Sequence, residues 1–295
     1  MTRHHARLVA VAITAVSFST PITAQQEPAP PTTLEALLET LGEGVGHENE
    51  QGEVVGFTLI GDQATDASLA HLSGLTALEK LNLMFAEQVT DAGLVHLSGL
   101  TALKDLSLHD VPVTDAGLAH LVGLTGLKHL VLNGTAITGP GLAHLTGLVA
   151  LEELFLIGTQ VTDAGLAHLA GLTALEELHL SRTQVTDAGL VHLAGLTALE
   201  QLYLSGTQVT DAGLAHLTGL PALRQLDLFG TEVTAAGLVH LQKMPALRSL
   251  GLSGYFSSDR LTDADIANLR EALPNVRIGD GAPVAPPPPP PPPSQ

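Results

Sequence analysis

The sequence has no cysteine and no tryptophan, only 3% aromatic residues, and 12 lysines and arginines against 30 aspartates and glutamates. The missing cysteines exclude disulfides, thiolate nucleophiles, the usual structural zinc sites and a lipid-modified N-terminal cysteine. The shortage of cations, with a formal charge of -18, argues against a nucleic-acid partner, because a phosphate backbone selects clusters of Lys and Arg. No apolar run reaches the roughly 20 residues that a membrane-spanning helix needs. What is abundant is aliphatic: 45% of the chain is hydrophobic, so the core must be built from Leu, Val and Ala.

The first residues read as an address. Arg3, His4, His5 and Arg7 precede the apolar stretch 8–18, and the small residue Ala24 fits cleavage before Gln25. Residues 1–24 are therefore expected to be a signal peptide. The remainder is expected to be exported and found in the periplasm, at the cell envelope or in the medium. Residues 25–52 read as a linker and a capping helix, with the amphipathic segment 33–41 as the helix. The glycine-rich stretch 42–46 follows a helix instead of joining strand to helix, so a turn is expected there and not a phosphate loop.

From there a 24-residue period takes over. Asp91, Asp115, Asp163, Asp187 and Asp211 share one grid, and Gly139 and Ala235 occupy the two grid positions without an aspartate. In the unit 199–220, Leu202 and Leu204 alternate to one face of a strand. Val209 then turns the chain inward, and Leu214 and Leu217 share a face of a short helix. Thr210 is placed to cap that helix, Asp211 to face its positive end, and Gly219 to end it in the left-handed conformation. One unit exposes apolar flanks that only stacked neighbours cover, so the array is expected to fold as one elongated body.

The strand L-x-x-L-x-L followed by G-T-x-V-T-D-A-G-L-A-H-L resembles the leucine-rich-repeat family, in the T-D-A-G-L variety common in exported bacterial proteins and related to the repeats of F-box leucine-rich proteins. The resemblance covers about residues 34 to 279. It implies an α/β leucine-rich-repeat solenoid, a curved horseshoe with a parallel β-sheet on the concave face and short helices on the convex face. It is specific for fold and poorly specific for function. The family's usual asparagine after the strand is replaced by Thr135, Thr159, Thr183, Thr207 and Thr231, which form a threonine ladder expected to satisfy turn backbone groups. Nine full strands are expected, beginning near Val54 and ending near Leu247, with a partial tenth at 276–278 and a polar closing helix over 261–273. The repeat domain with its C-terminal cap is assigned to 53–279. Two irregular loops interrupt the grid, at 85–87 and 253–259. Residues 280–295 carry eight consecutive prolines and are expected to form a disordered, polyproline II-like tail.

Strand positions outside the core form three rows on the concave face. The first is Lys80, Asp105, His129, Glu153, Glu177, Gln201, Gln225 and Ser249. The middle row is Asn82, Ser107, Val131, Phe155, His179, Tyr203, Asp227 and Gly251. The third is Met84, His109, Asn133, Ile157, Ser181, Ser205, Phe229 and Ser253. Phe155, Tyr203 and Phe229, with Ile157 beside them and Glu153, Glu177, His179 and Asp227 as a polar rim, match the pattern of exposed anchors in protein interfaces. These eight residues are the candidate partner-binding site, and scattered exposed apolar residues are the plainer alternative.

A column of eight histidines, from His71 to His240, marks one position of every repeat helix; it reads as a duplicated polar position, with weak metal binding or a pH response as the sharper alternative. No catalytic residue, metal site or cofactor is expected. The functional expectation is a monomeric binding scaffold for a protein or a cell-surface polymer, against a structural envelope spacer and a metal-binding or pH-responsive protein.

Overall fold

A computed structural model describes residues 33–41, 44–252 and 261–279. The expected signal peptide, most of the linker, the 253–259 loop and the proline-rich tail lie outside the described residues, as does Ser253. The strands are β1 (Val45–Glu48), β2 (Val54–Thr58), β3 (Lys80–Asn82), β4 (Asp105–Ser107), β5 (His129–Val131), β6 (Glu153–Phe155), β7 (Glu177–His179), β8 (Gln201–Tyr203), β9 (Gln225–Asp227), β10 (Ser249–Gly251) and β11 (Arg277–Gly279). They form one open 11-stranded sheet in chain order. Every pair is parallel except β1 with β2. This is the α/β leucine-rich-repeat solenoid that the sequence implies.

Each repeat places its leucines alike. Leu130, Leu154, Leu178 and Leu202 are register partners across successive strands and are fully buried, as are Leu132, Leu156, Leu180 and Leu204 two residues on. Opposite the sheet, short helical turns such as Asp187–Leu190 and Asp211–Leu217 bury Leu190, Leu214 and Leu217 against the same core.

The N-terminal end departs from the expected turn. Gly42 and Glu43 are not described, but Val45 and Gly46 belong to β1, which pairs antiparallel with β2. The hairpin closes through Asn49 and Gly52, the latter at φ 77°. It gives the otherwise unpaired edge of β2 a partner. The helix Leu34–Leu41 lies over it, burying Leu34, Leu37 and Leu38, and Leu34 sits so close above Gly46 that a Cβ there would overlap its Cδ1. At the other end the helix Asp263–Ala272 is closed by a reciprocal Thr262–Asp265 capping box.

Between repeats the T-D-A-G-L segment acts as a clamp, a role beyond the expected one of Asp211 facing the positive end of its own helix. Thr210 does cap, accepting from the Ala212 N–H at 3.3 Å. The Asp187 carboxylate, however, takes the Thr210 N–H at 2.7 Å and the Thr210 hydroxyl at 2.6 Å, reaching one repeat forward. The same pair of bonds joins Asp66 to Thr90, Asp91 to Thr114, Asp115 to Thr138, Asp163 to Thr186 and Asp211 to Thr234. The glycine of the motif makes room: a Cβ on Gly213 would fall on Asp187 Oδ1. Gly139 breaks the series. It offers Thr162 no carboxylate, Thr162 makes no side-chain cap, and the backbones of Gly139 and Gly165 close up until a Cβ on Gly165 would lie 2.6 Å from the Gly139 Cα.

One turn assignment changes. Gly219 does not have positive φ, because the chain leaves the helix through a short-range bond from the Leu220 N–H to the Leu217 carbonyl. The left-handed position comes instead after the strand, at Gly134, Gly158, Gly206 and Gly230, with Phe85, Asp110 and Arg182 in the same place in three repeats. The ladder threonines work within their own repeat: the Thr207 hydroxyl donates to the Leu204 carbonyl at 2.6 Å, and Thr135, Thr159, Thr183 and Thr231 do likewise.

Candidate functional site on the open face of the sheet

The leucines point inward, so the alternate strand residues form the outer face of the sheet. In the middle row the large side chains come together. Phe155 stacks on His179 with centroids 4.4 Å apart, and His179 on Tyr203 at 3.9 Å. Neighbouring parallel strands lie about 4.8 Å apart, near the separation of stacked rings, so in-register rings cover one another.

That geometry corrects the expectation of exposed anchors and rim. Tyr203 is 4% exposed, His179 6% and Asp227 4%. Phe155, Ile157, Phe229 and Glu153 remain half-buried. Glu177 is also largely covered, accepting from Gln201 Nε2 at 3.0 Å and lying 2.5 Å from His179 Nε2. The Tyr203 hydroxyl donates to Gln201 Oε1 at 3.0 Å and accepts from Gln225 Nε2 at 2.8 Å. Asp227 accepts from the Ser205 hydroxyl at 2.5 Å and the Phe229 N–H at 3.0 Å. Burial, reinforced by the charges of Glu177 and Asp227, pushes the Tyr203 phenol well above its ordinary range, so it stays a neutral donor. Of the residues expected to form the rim, Glu177, His179 and Asp227 thus belong to a satisfied polar network around the ring stack.

The N-terminal half of the same face is different. Thr58, Asn82, Ser107 and Val131 occupy the middle row there, and the smaller side chains leave an open trough of about 490 Å³ between the His47 and Phe155 side chains. Along its flank Lys80 pairs with Asp105 at 2.9 Å, and His129 lies 3.6 Å from Asp105 and 3.1 Å from Glu153. Partial burial raises the Glu153 carboxyl above the usual range against the opposing pull of His129, and the Glu177 charge adds to the rise. Of the eight residues of the candidate partner-binding site, only Glu153 and Phe155 line this trough. The signal that would have found it is the drop in side-chain size along the middle row ahead of Phe155.

At the end of the strands, Phe85 is 49% exposed at φ 58° and meets His109 edge-on with centroids 5.1 Å apart. The repeat histidines are half-exposed or exposed on the helical side, and among the described residues no group of three or more His, Asp or Glu could hold a metal ion. No helix among those residues is long and apolar enough to cross a membrane.

Comparison with known proteins agrees with this architecture. A family model described as leucine rich repeat matches residues 173–233. No curated protein matches the chain. Among solved structures, internalin C2 of Listeria monocytogenes is similar at 24% identity and a TM-score of 0.54, over 76% of this chain and 93% of that one. An internalin (inlF) of the same species is similar at 19% identity and 0.53, over 85% and 91%. A plant peptide hormone receptor, RGFR1, solved in complex with RGF2, is similar at 16% identity and 0.50, over 79% of this chain and 40% of that one. No catalytic family is among these matches.

Proposed function

With the chain established as a leucine-rich-repeat protein, we propose that it is an exported, non-enzymatic binding scaffold whose open sheet face grips a protein or a cell-surface polymer. The observation that carries this reading is the open face itself, where a rigid, hydrogen-bonded ring stack adjoins an unfilled trough. Preformed, locked side chains lower the ordering cost of association. The similarity to a hormone receptor solved with its ligand adds weight to binding as the use of the fold. The partner surface consists of Glu153, Phe155, Ile157 and Phe229, which a ligand reaches, with Glu177, His179, Tyr203 and Asp227 as the support that holds them. Export rests on the sequence of residues 1–24, and the protein acts as a monomer without cofactor. A structural spacer in the envelope, or a metal-binding or pH-responsive role for the histidine column, is the competing use.

Capture from a cell-surface extract tests the reading, with the chain from Gln25 as bait beside a variant carrying Ile157→Ser and Phe229→Ser, both of which are only half-buried. A partner held by the unaltered bait and lost by the variant is the expected result. Equal capture by both, or none by either, counts against the face and turns attention to the spacer role.

A further inference from the structure

Resting on the binding-face reading, we propose that the trough between His47 and Phe155 is a carbohydrate site that takes a neutral oligosaccharide. Its volume of about 490 Å³ falls within the span of small-molecule pockets. One end is an aromatic platform. Phe155 is half-buried: His179 covers one of its faces, and the ring lines the trough together with its register neighbour Val131. The C–H face of a sugar ring packs on such a platform.

The floor supplies what hydroxyl groups need. Thr58 and Ser107 each donate and accept, and Asn82 spends its Oδ1 on the Met84 N–H at 3.1 Å, which leaves its NH₂ as a donor. On the flank Lys80 pairs with Asp105, and His129 lies between Asp105 and Glu153. With Lys80 already paired and two carboxylates beside it, the flank favours a neutral ligand over an acidic one. Main-chain pairing is also closed to an extended peptide, because the Asn82, Ser107, Val131 and Phe155 carbonyls already accept from Leu59, Leu83, Leu108 and Leu132. Recognition therefore falls to side-chain hydroxyl, amide and carboxylate groups beside a ring, the combination that complements a polyhydroxylated ligand.

The test is a glycan array of neutral and acidic oligosaccharides probed with the full chain, followed by titration calorimetry with the strongest neutral oligosaccharide. Ser107→Phe fills the trough without removing a buried contact, and Phe155→Leu removes the platform while keeping apolar volume. Each is expected to weaken binding at least tenfold, with Val149→Ser on the helical side as the unaffected control and thermal melting as the check on folding. Retention by both trough variants, a preference for acidic glycans, or no glycan binding at all overturns the proposal. If no glycan binds but the capture experiment still yields a protein lost from the face variant, the saccharide is wrong and the binding face stands. Failure of both experiments removes both.

Discussion

The two halves of the sheet face share one backbone and do different things with it. From β6 to β9 the middle row is filled by Phe155, His179, Tyr203 and Asp227; the three rings stack, and the polar atoms are bonded within and across strands. From β2 to β5 the same row holds Thr58, Asn82, Ser107 and Val131 and stays open. The boundary coincides with a missing link of the aspartate clamp, because Gly139 lies between β5 and β6. A repeat scaffold thus sets positions, and side-chain size along a single row decides whether a stretch supports or receives.

The largest expected effect breaks the filled half. Tyr203→Ala removes a nearly fully buried ring and two hydrogen bonds, and chemical denaturation should show a loss of about 3 to 5 kcal/mol. Ser107→Ala in the open half should stay within about 0.5 kcal/mol. Similar losses from both would erase the distinction.

Next comes the aspartate clamp. Asp187→Ala leaves the Thr210 N–H and hydroxyl without their carboxylate and should cost about 1 to 3 kcal/mol. Hydrogen exchange of the unaltered chain should already find the Thr162 amide faster than those of Thr186 and Thr210, since Gly139 supplies it no acceptor. Equal protection at all three would mean that the clamp contributes little.

The smallest effect sharpens the comparison at the seam. Burial raises the Glu153 carboxyl in the folded state, so the folded chain binds its proton at higher pH than the unfolded chain does. Stability from this group therefore falls as pH rises from the ordinary carboxyl range through the raised folded value. Glu153→Gln should flatten that dependence and be neutral or stabilising by up to about 1 kcal/mol at neutral pH, allowing for its partial exposure. Destabilisation at neutral pH would show that the pairing with His129 outweighs burial.

Much of the fold was legible in the sequence because the repeat states it many times over. The leucine grid placed β2 to β11 and the core, and Thr210 was recognised as a cap. The hairpin strand β1 escaped because Val45-Gly46-His47-Glu48 has no alternation and lies outside the period. The aspartate clamp escaped because each pairing spans about one repeat, Asp187 to Thr210, while capping arguments look only a few residues ahead. The candidate face was legible as three rows, but burial was not. Whether Tyr203 is an anchor or a support depends on His179 one strand away, a distance that only the pairing register supplies.

The most direct test of the account is amide exchange over the whole chain before and after a captured partner is added. Protection over residues 80–84, 105–109, 129–133, 153–157 and 225–229, with little change on the helical side, is the predicted result. Protection confined to the helical side around Val149 and Val191, with an unchanged sheet face, would contradict it.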